Sequence, residues 1–391
     1  MRAWQVVLFK EIRETLRDRR AVMSSLVGGA IAGPLIFAVL LNVMIQRQAD
    51  QAAETLSIAV DGGDHAPQLI DWLQRQGAEI TEAPDNPRIA VGDGELPLVL
   101  IIDEDYAERW KAGSPAVVDL INDSSRRDQR VAVERARQLL AAWSAQVGNL
   151  RLRVHGIDPA LGNALVVNSV DVSTPESRGS LVLAMWPYLV MISVLIGGMY
   201  VAIDATAGER ERGSMEPLLL NAVSAGEVMA GKVLATMSFA LIALALTLVM
   251  FRLGMQLLPV SDLGFRLNMD AAILLRVFVM MLPVALLIAG LQTLVAAFSK
   301  GFREAQTYLS FLMFIPALPT LWLAVSPVKP ALWMMSVPVL SQSMMMQTLS
   351  RGDQVVLSWQ VIAWVVTLAA GLGVAWLTRH YYRQPAIIGS N

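Results

Sequence analysis

Six stretches of the chain, 22–45, 181–203, 233–251, 271–298, 305–325 and 359–378, are almost continuously apolar. At 1.5 Å per residue, about 20 residues cover the roughly 30 Å hydrocarbon core, so each predicts a membrane-spanning helix. The six contain no Asp or Glu and a single basic residue, Arg276, placed to snorkel to the interface or to pair with Asp270. The first follows a basic flank from Lys10 to Arg20 as a signal peptide would, but its length exceeds the about 7–15 residues of a cleavable apolar region, which makes it an uncleaved span.

The polar stretches carry other periods. In residues 1–21, Trp4, Leu8, Ile12 and Leu16 recur at four-residue steps with Lys10, Arg13 and Arg17 opposite, the pattern of an amphipathic helix lying in the membrane interface. Residues 46–180 predict an α/β domain. Leu56 to Val60, Leu96 to Ile102 and Ala116 to Ile121 read as strands, 66–76 and 104–111 as helices, 125–153 as a long helix with Val131, Leu139, Leu140 and Trp143 inward, and 164–172 as a last strand. Asp103, Glu104 and Asp105 complement the positive end of the helix that follows them, and no catalytic constellation is present. The fold class is therefore an α-helical polytopic membrane protein of six transmembrane helices, with an α/β extracytoplasmic domain between the first and second.

Composition agrees: 391 residues, 55% hydrophobic and only 16% charged, against about 25% charged in soluble domains. With no cysteine and three histidines, disulfides and thiolate chemistry are excluded and a zinc centre has little to draw on. The net charge of −2 divides into −8 over residues 46–180 and +6 over the rest. With the N-terminus inside, segments 1–21, 204–232, 299–304 and 379–391 hold 13 Lys and Arg, against four in 252–270 and 326–358. Lys and Arg are retained on the cytoplasmic side, so both termini are expected there and 46–180 outside.

Between the second and third spans lies DATAGERERGSMEPLLLNAVSAGEVMAGK, residues 204–232. Glu209, Arg210, Glu211 and Arg212 close the second helix and Gly213 breaks it. Pro217 suits the first turn of a short helix that holds Leu218, Leu219 and Leu220 without a core of their own. Ser224 and Glu227 form a capping box that starts the next helix. A short apolar helix held between two rigid spans suits the transmission of motion from a docked partner. Residues 226–233 also match a P-loop at seven of eight positions, but Val233 stands where Ser or Thr must hold Mg²⁺, and no strand precedes. The chain is not expected to hydrolyse ATP.

The run from Glu209 through Gly213, Glu216 and Pro217 to Leu220, with Glu227, Gly231 and Lys232, resembles the membrane subunits of ABC-2-type transporters, particularly sodium-extrusion and multidrug-export permeases. The likeness extends in outline over the whole chain, including Pro338 and Gln342 before the last span. It implies a permease homodimer with two copies of a separate ATPase subunit that bind ATP and Mg²⁺, and residues 213–223 as the coupling helix seated in that ATPase. It gives no cofactor to this chain and no nucleic acid as partner, and it leaves the solute open.

Spans without carboxylates favour an external energy source over proton coupling. Prolines 34, 187, 283, 316 and 319 either hinge the spans or merely kink them, and Gly28, Gly29, Gly197 and Gly198 suit a dimer seam or any tight bundle. Pro330 and Pro338 divide the outer segment 326–358 into two helices too short to span. Its Trp333, Met334, Met335, Pro338, Gln342 and Met344 to Met346 offer a deformable exit gate for lipophilic molecules, or ordinary packing against lipid. The rival to transport is a membrane sensor or scaffold whose outer domain binds a ligand or partner.

Overall fold

The computed structural model describes residues 2–28, 30–53, 55–126, 129–162, 183–214, 224–257, 269–325 and 330–381. The expected strand at 164–172 lies outside them. Two compact units emerge, Met1–Ile45 with Val172–Asn391, and Gln46–Asp171.

In the first unit, α1 (Ala3–Arg17) leads through α2 (Arg19–Val22) and a widened turn at Met23–Gly28 into α3 (Ala32–Ala53). Then come α8 (Trp186–Ile203), α9 (Ala225–Leu257), α10 (Ala271–Phe298), α11 (Phe302–Phe311), α12 (Phe314–Val325), α13 (Leu340–Ser350) and α14 (Leu357–Tyr381). Among the described residues six helical runs are long and apolar enough to cross a membrane: Ser25–Val43, Leu183–Glu211, Ala225–Gln256, Ala271–Phe298, Phe302–Leu323 and Leu357–Tyr381.

The second span is the axis of this bundle. Of its apolar window 67% is buried, against 18%, 17% and 22% for the first, fifth and sixth. Its Trp186, Val190, Met191 and Val194 pack with Leu244 and Phe251 of α9 and Val277, Met281 and Val284 of α10. Gly197 and Gly198 make that approach possible. A Cβ on Gly197 would strike the Ala243 methyl, and one on Gly198 would stand 2.7 Å from Gln292 Oε1. The glycine pair thus belongs to packing within the bundle.

One proline expectation needs correction, and another is met. Pro187 sits in the first turn of α8, where its missing N–H breaks no helical bond. Pro316 cannot donate to the Leu312 carbonyl, and the fifth span is accordingly divided at Leu312–Met313 into α11 and α12. Arg276 is exposed and makes no ion pair with Asp270 among the described residues.

The second unit is a four-stranded sheet in the order β2-β1-β3-β4, from β1 (Ser57–Asp61), β2 (Glu79–Glu82), β3 (Leu98–Ile102) and β4 (Val118–Asn122). β1 is parallel to both neighbours, and β4 runs antiparallel to β3. Helices α4 (Pro67–Arg75), α6 (Tyr106–Lys111) and α7 (Arg130–Val154) bury Leu69, Leu73, Tyr106, Val133 and Ala136 against Ile58, Leu98 and Leu100 of one sheet face. α5 (Pro87–Asp93) covers Ala59 and Val99 on the other. Val131, expected inward on the long helix, is exposed, because the buried face runs through Val133 and Ala136.

Candidate coupling site

The second span does not end where its apolar run ends. α8 continues through a five-residue π-helical turn, Asp204–Gly208, into a helical turn at Glu209–Glu211. Gly213, at φ 67°, then closes the helix. Ser214 N–H donates to Glu209 O at 3.0 Å and Gly213 N–H to Arg210 O at 3.1 Å, the paired bonds of a Schellman cap that only a residue tolerant of positive φ completes easily.

Within this terminus the four residues Glu209 to Arg212 each engage a different place. Glu209 binds Lys232 of α9 at 2.6 Å and Lys10 of α1 at 2.6 Å, one through each carboxylate oxygen. Arg210 donates to the Ser299 carbonyl at the C-terminal end of α10 at 2.9 Å. Glu211 accepts the Phe302 N–H at the start of α11 at 2.9 Å, supplying a partner to a helix end that has no side-chain cap of its own. Arg212 turns back to Asp204 at 2.8 Å. The helix end before Gly213 is therefore bonded to four other helical segments through three side chains.

Lys232 is the centre of this node. It is fully buried, and its ammonium donates to Glu209 Oε2 at 2.6 Å, the Ala205 carbonyl at 2.6 Å and Glu11 Oε1 at 2.9 Å, which uses all three protons. Lys10 lies 3.3 Å from both Glu11 and Glu14. Burial opposes the Lys10 charge, but the hydrogen bond to Glu209 and the fields of Glu11, Glu209 and Glu14 outweigh it and hold the ammonium above the ordinary lysine value. The carboxylates of Glu11, Glu14 and Glu209 come within 4.8 Å of one another, and the two ammonium groups balance them to a net −1.

These contacts revise the reading of α1. Its buried face is Val7, Glu11 and Thr15, one residue out of step with the stripe of Leu8, Ile12 and Leu16, which turns it by about 100°. Leu8 and Ile12 still pack on Val201, Ala235 and Phe239, but Leu16 is exposed. The helix docks on α9 at Gly231, where a Cβ would meet Val7 Cβ at 2.7 Å and Trp4 O at 2.9 Å. Tyr200 adds a bond from α8 to Asp18 at 2.9 Å. The P-loop-like run is helical from Ala225 onward and its lysine is fully engaged, so it does not fit a phosphate.

Of the remaining expected coupling residues, Glu227 meets Ser224 at the helix start, its N–H donating to the Ser224 hydroxyl at 3.3 Å and its carboxylate 3.4 Å from that hydroxyl, which is one half of the expected capping box. Glu216, Pro217, Leu218, Leu219 and Leu220 lie outside the described residues.

The structure separates the gate candidates. Trp333 is exposed, beside Trp322, whereas Met334, Met335, Met344, Met345 and Met346 are buried inside the bundle. Gln342 is buried and accepts from Val339 N–H at 2.7 Å and the Ser341 hydroxyl at 3.0 Å, while its amide donates to Thr367 of α14 at 2.9 Å. Directly after Pro338, Val339 adopts φ 73°, a conformation uncommon for a β-branched residue, and Gln342 pins its N–H in place.

Sequence comparison fits this architecture. The model of the ABC-2 family transporter protein matches residues 25–378. The chain belongs to the ABC-2 transporter family. It is also 24% identical, over 315 residues, to the ABC transporter permease protein NatB of Bacillus subtilis (strain 168), a match covering 79% of this chain and 80% of the relative. This ABC-2 chain is thus a multi-pass membrane subunit of a transporter, non-catalytic itself, and its family implies a partnership with an ATPase subunit.

Elements that sequence reasoning missed are Lys10, Glu11 and Glu14 of α1, the Ser299 carbonyl, the Phe302 N–H and Asp204. One signal was available: Glu11 falls four residues from both Val7 and Thr15.

Proposed function

We propose that the chain is the permease of an ATP-driven exporter, working as a pair of identical copies with two ATPase subunits that hold ATP and Mg²⁺. Both termini and loop 204–232 face the cytoplasm, and the inserted domain faces outward. ATP-driven closure of the ATPases pushes on residues 213–223. The Glu209–Arg212 node passes that push to α1, α9, α10 and α11, and the helices rock to open a central path outward. The solute is small, a sodium ion or a lipophilic drug-like molecule.

The observation that carries this reading is that three consecutive side chains at the root of the loop, Glu209, Arg210 and Glu211, bind α1 and α9, α10, and α11 respectively. A merely terminal helix end needs no such distribution. The test is reconstitution of the permease with its ATPase in vesicles, with sodium and a fluorescent lipophilic dye as solutes. Exchanging Glu216 for Ala or Leu218–Leu220 for Ser is expected to abolish ATP-dependent movement and the stimulation of hydrolysis while membrane insertion persists. Undiminished transport by these variants contradicts the coupling role. Failure of the wild-type pair to move any solute while still binding a ligand favours a sensor.

A further inference from the structure

The inserted domain contains a feature that coupling does not use. Its strand order β2-β1-β3-β4 places two parallel strands, β1 and β3, side by side, with the chain leaving β1 toward β2 and leaving β3 toward β4. Where the connections of two neighbouring parallel strands leave in opposite directions in this way, the turns beyond the C-terminal ends of the strands leave a crevice, the position at which open α/β sheets hold ligands. A cavity of about 290 Å³ opens there, lined by Asp64, His65, Gln68, Tyr106, Trp110 and Lys111 among others. That is close to the lower bound of about 300 Å³ for small-molecule sites.

The crevice is built. Gly62 holds φ 73°, and a Cβ there would strike the Ile102 carbonyl. The His65 ring bridges the two turns, its Nδ1 3.0 Å from that same carbonyl. A carbonyl only accepts, so Nδ1 carries a proton, and in the neutral ring Nε2 is left as an acceptor. The aromatic wall is a continuous stack. Tyr106 and Trp110 stack at 5.6 Å, Trp110 and Trp143 at 5.9 Å, and Arg151 lies 4.8 Å over the Trp110 ring.

Charge selects the ligand. The two turns carry Asp61, Asp64, Asp103 and Glu104, none with an ion-pair partner among the described residues. Asp105 is offset by Arg109 at 3.7 Å, and Lys111 is the one cation lining the cavity among the described residues. An anion would meet a surplus of carboxylates, and the first helical residue of α4, Pro67, has no N–H to offer one. The carboxylate of Asp64, the His65 acceptor and the Gln68 amide instead suit a donor. We propose that this crevice binds a protonated amine with a small apolar or aromatic body, the ammonium at Asp64 and the body against Tyr106 and Trp110. The site is independent of which solute the permease moves.

The test is calorimetric titration of the detergent-solubilised full chain with 2-phenylethylammonium, and with phenylacetate as the anion of matched size. Saturable binding of the amine at one site per chain is expected, with phenylacetate at least tenfold weaker. Asp64→Asn, at an exposed position, is expected to weaken the amine at least threefold with an unchanged melting temperature, and Trp110→Leu to weaken it further. Equal affinity for phenylacetate, no saturable amine binding, or full affinity in Asp64→Asn overturns the proposal; the last outcome places the amine in the helical bundle or the micelle.

Discussion

Replacing Lys232 by Met keeps a long flexible side chain and removes one buried charge. The structure sets the size of the effect. The ammonium makes three hydrogen bonds at 2.6, 2.6 and 2.9 Å, two of them to the carboxylates of Glu209 and Glu11. Bonds to charged groups contribute about 1.5–3 kcal/mol each, but desolvation of all three ions offsets much of that sum. What the variant leaves is more costly: Glu11 and Glu209, both buried, with Lys10 as the remaining neutralising partner. Removing one member of such a cluster destabilises by about 3–5 kcal/mol. Unfolding in mixed micelles titrated with SDS measures this directly. A second variant, Lys232→Met with Glu11→Gln, also removes the stranded charge and is expected to recover at least about 1.5 kcal/mol, since contacting charges are coupled. A loss below about 1 kcal/mol for Lys232→Met, or strict additivity in the double variant, would refute the argument that the node is a compensated buried cluster.

Gly231→Val places side-chain atoms where Val7 Cβ and Trp4 O already lie within 3 Å, so α1 is expected to lift from α9. Spin labels on the two helices then report a longer, broader distance, and an unchanged distance counts against the docking. Gln342→Leu strips the Val339 N–H and the Thr367 hydroxyl of their partner in a buried site, and the same SDS titration is expected to show a loss of about 1–3 kcal/mol. Gly62→Ala forces a Cβ into the Ile102 carbonyl at positive φ and is expected to expose the inserted domain to proteolysis while the helical bundle persists; an unaltered cleavage pattern contradicts this.

The parts of the fold legible in the sequence were those with one dominant physical cause. A 20-residue apolar run without carboxylates has little choice but to be a lipid-solvated helix, and all six runs appear as helical segments long and apolar enough to cross a membrane, the fifth divided at Leu312–Met313. Gly213 after the charged tetrad marked a helix end, and Ser224 with Glu227 marked a helix start. Less legible were features fixed by distant partners. Glu11 and Lys232 stand 221 residues apart, and each alone reads as a solvated charge, so the sequence pattern of α1 points its polar side outward. The π-helical turn at Asp204–Gly208 has no apolar period to announce it. β2 went unread because Glu79 and Glu82 bracket it at the sheet edge, and Val339 because valine is a poor candidate for positive φ.

In the proposed mechanism residues 213–223 receive work from an ATPase on the cytoplasmic side. The chain has no cysteine, so Leu219→Cys introduces a unique thiol. In right-side-out membrane vesicles containing the co-expressed ATPase subunit, that thiol is expected to resist a membrane-impermeant maleimide and to react with a permeant one. A bifunctional reagent is expected to join it to the ATPase, with a yield that changes when ATP is trapped. Labelling by the impermeant reagent without any ATPase adduct would contradict the central claim.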